Sequence, residues 1–229
     1  MAQFFFDPND WAVDDTEATP GFPFSVLQGS AALRIDRLLD NSGNLLNITT
    51  ESSGRNIIAY TPAGQHTDLE VYVQSYQSYD GNSSAERTGL RARNDGAGGD
   101  FYQHRSGSID TVINGSLSAI SGSVLLQDRR RFRANGTSPT TLQVRNWTPG
   151  QDEPVGWETT TTNSAADLQV AGYAAITPYS GAIRIAYLGV GTNGDSAPTS
   201  AVAAGPNTPI NLSVTNLLVT SARLNWEQG

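Results

Sequence analysis

Asp68 and Glu70 are the two carboxylates whose spacing invites a catalytic reading. Separated by Leu69, they would point to one face of a strand, where an acid and a nucleophile can share glycoside hydrolysis. No third carboxylate continues the alternation, and Glu51, Glu86, Glu153 and Glu158 fall in turn-like or isolated contexts. His66 and His104 lack flanking residues that would mark a Ser–His–Asp set. Gly96-Ala97-Gly98-Gly99 is not followed by Lys-Ser/Thr, so it is a loop and not a phosphate cradle. The chain has no cysteine, which removes disulfides and thiolate metal sites, and its two histidines argue against a zinc centre. The expectation is a protein without catalytic activity.

Binding chemistry is better represented. If Leu69, Leu90 and Val144 face a core, then Glu70, Tyr72, Arg91, Arg93, Arg145 and Trp147 face outwards. Aromatic platforms beside planar polar groups suit sugars, so these side chains are expected to line a groove on a concave sheet. Tyr76, Tyr79, Tyr102 and His104 are expected at its rim. Tyr72, Arg91, Arg93, Tyr102, Arg145 and Trp147 are therefore the candidate glycan-binding residues. The competing reading of Trp147 and Trp157 is as packing residues that clasp the Glu153-Pro154 turn, since large aromatics dominate burial.

Two charged clusters ask for other ligands. Asp7, Asp10, Asp14 and Asp15 could hold calcium together with main-chain carbonyls; the favoured reading is a solvated acidic loop, and no cofactor is expected. Arg129-Arg130-Arg131-Phe132-Arg133 suggests nucleic acid, but a strand would split its arginines between two faces and leave Arg130 beside Phe132. No series of stacking aromatics accompanies it. A solvated or interface edge strand is expected there. The formal net charge of −8 also argues against nucleic acid. That charge is uneven: residues 81–150 hold nine of the fourteen basic residues, every one of them arginine.

The elements that must position these residues are short strands. Asp80-Gly81, Asp95-Gly96, Asn114-Gly115, Asn135-Gly136 and Asn193-Gly194 are reverse-turn dipeptides. Between them, apolar residues recur every second position, as in Leu69-Val71-Val73, Leu142-Val144 and Ile183-Ile185. This predicts an all-β, antiparallel sandwich. A weak helical signal covers Ala32 to Asp40. No window is apolar enough to span a membrane as a helix. The start of the chain is a poor secretory signal, which predicts assembly in a cytoplasm.

Three stretches together carry a resemblance: Arg131-Phe132-Arg133 to Thr141–Trp147; Trp147-Thr-Pro-Gly-Gln-Asp-Glu-Pro-Val-Gly-Trp157; and Ala171-Gly-Tyr173 to Ile183–Val190. A strand ending in Trp, a Glu-Pro turn, a second Trp, Ala-Gly-Tyr and a closing strand is similar to a concanavalin-like (laminin-G-like) jelly roll of phage virion proteins. The resemblance implies a jelly-roll sandwich over residues 1–191 and a structural role in a tail appendage or capsid decoration of a tailed bacteriophage. Its implied partners are other copies of itself, neighbouring virion proteins and host surface glycans. The alternative is a carbohydrate-binding module of a secreted or host-recognition protein. Relatives often carry an Asp in the closing strand for calcium; Ala186 and Tyr187 stand there instead.

Residues 192–209, rich in small residues and proline, read as an extended linker. Residues 210–229 resemble the first two strands of a fibronectin type III module, with Leu212 and Val214 alternating before Trp226. A strand pair alone is marginal. Leu212, Val214 and Trp226, with Phe4, Phe5, Phe6 and Trp11, are the expected assembly surface.

Overall fold

The computed structural model describes residues 2–38, 42–50, 56–76, 88–95, 99–105, 108–113, 116–121, 128–178 and 182–200. The fibronectin-like segment, with Leu212, Val214 and Trp226, and also Tyr79 lie outside them. The strands begin with β1 (Ala2–Phe6), β2 (Phe24–Gln28), β3 (Ala31–Arg37), β4 (Asn44–Thr50) and β5 (Ile57–Tyr60). Then come β6 (Leu69–Tyr76), β7 (Thr88–Asn94), β8 (Phe101–Arg105), β9 (Ser108–Ile113) and β10 (Ser116–Ser121). The chain continues through β11 (Arg129–Asn135), β12 (Thr140–Trp147), β13 (Thr159–Asn163), β14 (Tyr173–Pro178) and β15 (Ala182–Thr192).

One sheet runs β13-β12-β11-β6-β15-β4-β3, and the other β10-β9-β8-β7-β14-β5-β2. Every ladder is antiparallel, and the chain passes repeatedly from sheet to sheet, so this is the jelly-roll sandwich expected. β15 holds the first sheet together. It pairs with β6 on one side; on the other, β4 takes its first half and β1 its second. Leu33, Ile35, Leu46, Ile48, Val71, Val73, Phe132, Val144, Leu188 and Val190 from this sheet meet Ile58, Leu90, Ala92, Tyr102, Ile109 and Ile176 from the other. Burial of such side chains is the main stabilising force of the sandwich.

Four expectations change. The described part of Ala32 to Asp40 is no helix: Ala31, Leu33 and Ile35 are buried in β3 while Ala32 and Arg34 are exposed, a period of two. Its outer edge is closed by main-chain bonds to Asp14 and Asp15 and by Glu17, whose carboxylate accepts from the Leu33 amide. Second, Arg129–Arg133 is no edge strand, since β11 lies between β6 and β12; Arg130 does share the core face with Phe132, and both are fully buried.

Third, the aromatic start of the chain serves the fold. Phe6 packs into the core against Phe24, ring centroids 4.9 Å apart, and Trp11 packs on Phe22 at 5.0 Å. Phe4 is partly buried on the same cluster, which leaves Phe5, stacked on Tyr187 at 6.2 Å, as the exposed member. Fourth, the part of the expected linker before residue 201 folds back onto the first sheet. Ala197 and Pro198 are buried there, and Tyr187 donates its hydroxyl to the Ser200 carbonyl at 2.6 Å.

No helix among the described residues is long and apolar enough to cross a membrane.

Candidate functional site

The outer face of the first sheet was expected to be a groove. Its centre is instead filled with ion pairs under the returning chain. Glu70, 1% exposed, accepts from Arg131 and Arg133 and from the Ala197 amide at 3.0 Å. Arg131 Nη1 also donates to the Ala197 carbonyl at 2.7 Å. Its Nε lies 2.7 Å from Glu153, which also pairs with Arg145. Burial opposes the Arg131 charge, but the two carboxylates outweigh it and hold its pKa above the usual value. The returning chain comes this close because Gly189 and Gly191 carry no Cβ; one at either position would overlap the carbonyl of Pro198 or Asp195.

Asp68 and Glu70, the carboxylates considered for catalysis, are thus held in structural bonds. Asp68 accepts from the Gly136 amide at 2.7 Å. Asp7 accepts from the Asn9 amide at 2.9 Å, and Asp15 accepts from the Ala12 amide at 2.8 Å and from Thr19. Among the described residues no three acidic or histidine side chains are grouped to hold a metal.

The six glycan candidates separate. Tyr72 is buried and stacked on Trp147, with centroids 5.5 Å apart. Arg91 is buried on the other sheet, its guanidinium 3.5 Å over the Phe101 ring. Arg93 is also buried: a left-handed φ of 57° breaks the alternation there. It ties together four segments, donating to the Thr67, Leu168 and Gly136 carbonyls and to Thr140. Burial lowers its pKa. Tyr102 sits in the core, where it donates to Asn163 at 3.2 Å and accepts from Gln169 at 3.0 Å. Of the expected rim residues, His104 is fully buried and Tyr76 is exposed.

Arg145 and Trp147 do reach a cavity. It measures about 490 Å³ and lies within the loop that joins β12 to β13. Trp147 forms one wall while remaining 5% exposed, so its packing role holds as well. Trp157, half-buried, lines the same space. Asn146, Gln151, Asp152 and Glu158 add amide and carboxylate groups. The loop is fastened from several sides. Gln151 donates its amide to the Thr148 carbonyl at 3.2 Å, and Arg145 donates to the Pro154 carbonyl at 2.9 Å. The guanidinium carbons of Arg145 and Arg133 lie 4.5 and 4.9 Å from the Trp157 ring centroid, holding the indole by cation–π contact. Asn146 donates to Glu158 at 2.9 Å, which fixes the amide. Together these place two indoles among hydrogen-bonding groups, in a space suited to a small polar ligand.

Trp157, Asn146, Gln151, Asp152 and Glu158 were not among the candidates. The signal that could have found them was the Trp-to-Trp segment itself, which brackets the cavity.

No protein-family model matches the chain, and no curated protein matches it. Among solved structures, the metal-free VIP36 exoplasmic/lumenal domain is similar over 81% of this chain and 90% of its own, with 13% identity and a TM-score of 0.46. The Ca²⁺/Man3GlcNAc-bound form of that domain is similar over 73% and 82%, again at 13% identity, with a TM-score of 0.42. The binding domain of Paraclostridial Mosquitocidal Protein 1 is similar over 84% of this chain and 50% of that one, with 10% identity and a TM-score of 0.37.

Proposed function

We propose that this protein binds carbohydrate, without turning it over, in the cavity between Trp147 and Trp157. The observation that carries this reading is the cavity's composition. Two indoles in its lining, Trp147 and Trp157, supply apolar surface for a sugar ring to pack against. Asn146, Gln151, Asp152 and Glu158 surround it with donors and acceptors for hydroxyls. The residues lie on a fastened loop, so little ordering entropy opposes binding.

The virion role implied by the sequence resemblance is a separate proposal. Its N-terminal assembly surface is weakened by the burial of Phe6 and the packing of Phe4 and Trp11. Glycan adhesion is compatible with a virion surface, and it is the part of that expectation for which the cavity argues.

The test is a glycan array followed by calorimetry with the purified chain. Trp157→Ala should abolish binding while leaving the unfolding midpoint within a few degrees. Undiminished binding by this variant would remove the cavity from consideration.

A further inference from the structure

Beside the main cavity is a second, smaller one. It measures about 180 Å³ and is lined by Tyr72, Arg129 and Glu153, with Trp147, Gln151 and Asp152 shared between the two. Pockets that hold a small ligand by themselves span roughly 300–1,000 Å³, so the main cavity is of that size and the annex is not. The annex has room for one further unit of something already bound next door. Its chemistry suits a hydroxyl-bearing ring. The Arg129 Nε is buried without a hydrogen-bond partner among the described residues, and carboxylates of Asp152 and Glu153 lie in the same lining. Neighbouring hydroxyls can accept from the first and donate to the others.

The charges of this face also select. The linings of the two cavities hold Arg129 and Arg145 against Asp152, Glu153 and Glu158, two cations to three anions, so no excess of positive charge draws an anionic ligand. An acidic sugar in the annex would meet both carboxylates.

We infer that the ligand is a neutral oligosaccharide of at least two units, with its main part beside Trp157 and the next unit in the annex at Arg129. This rests on the carbohydrate reading above and adds length and charge to it.

The experiment is calorimetric titration of the full chain with one- to six-unit manno-, cello- and malto-oligosaccharides, and with oligogalacturonides as the anionic series. One neutral series should gain about tenfold in affinity once the annex is filled, the worth of a charge-assisted hydrogen bond. Arg129→Ala should remove that gain and leave the affinity for the shortest bound member unchanged. Trp157→Ala should abolish binding at every length. Binding that does not depend on length, a gain that survives Arg129→Ala, or tighter binding of the galacturonides would overturn the inference while leaving a carbohydrate site in place. Failure of every series to bind would overturn the carbohydrate reading itself, and this inference with it.

Discussion

Glu70 shows at the residue scale why pointing outwards differs from being exposed. Its neighbours Leu69 and Val71 face the core, as period two requires, and Glu70 faces away. The side chain is nevertheless buried, because Ala197, 127 positions later in the chain, lies over it. Nothing local to Glu70 encodes that cover, so the face could be read from sequence while its burial could not. Removing the charge takes a carboxylate from both Arg131 and Arg133: Glu70→Gln should cost about 3–5 kcal/mol of stability in urea denaturation. Arg93 is the second such case. Its left-handed backbone turned an expected sugar contact into a staple, and Arg93→Lys should be clearly destabilising, since an ammonium cannot reproduce the guanidinium's fork of donors. His104 gives a pH signature. It is fully buried, neither ring nitrogen has a hydrogen-bond partner among the described residues, and burial and then the nearby Arg130 push its pKa well below 6.5. Below about pH 6.5 the unfolded chain takes up a proton that the folded chain refuses, so stability falls as pH falls, by up to about 1.4 kcal/mol per pH unit. His104→Leu should flatten that acid limb between pH 5 and 7; an unchanged slope would assign it to other groups.

At the scale of elements, alternation was sufficient to read β6, β12 and β15, whose Val71, Val144 and Ile185 are in the core; the turns at Asp80-Gly81, Asp95-Gly96 and Asn114-Gly115 lie wholly or partly outside the described residues. Ala32 to Asp40 was misread because its Ala, Leu and Arg residues favour a helix locally, while Leu33 and Ile35 obey the sheet's period. The loop from Thr148 to Trp157 was legible as a unit because Trp147 and Trp157 bracket it. What holds Trp157 in place was not legible, because Arg133 and Arg145 approach it from β11 and β12. The path of residues 193–200 was hidden for a different reason: small residues and prolines suit both a free connector and a segment pressed flat on a sheet. Gly189 and Gly191 are the marks of the second. Gly189→Ala or Gly191→Ala should push that segment off β15 and destabilise by about 1–3 kcal/mol, with faster proteolysis after Thr192. Wild-type protease resistance in both variants would show that the backbone accommodates the methyl.

For the whole molecule, the decisive feature is that β1 and β15 are paired through five residues. The start of the described chain is thereby part of the sheet's closure, and Phe6→Ala should cost about 3–5 kcal/mol in the isolated protein, before any assembly is considered. The same sheet sets how the molecule meets a load. Tension arriving from beyond Ser200 would act first on the bond from the Tyr187 hydroxyl, then on the Ala197 contacts to Glu70 and Arg131, and only afterwards on β15. These links lie one after another along the chain and open singly, as a peel, whereas a strand pulled along its own ladder must break many at once. Under such a load residues 193–200 would lengthen first, as a mechanical fuse, before the ladder of β15 is loaded. Because Thr199 is one wall of the smaller cavity, the first stage of that peel would also loosen the grip on whatever the cavity holds.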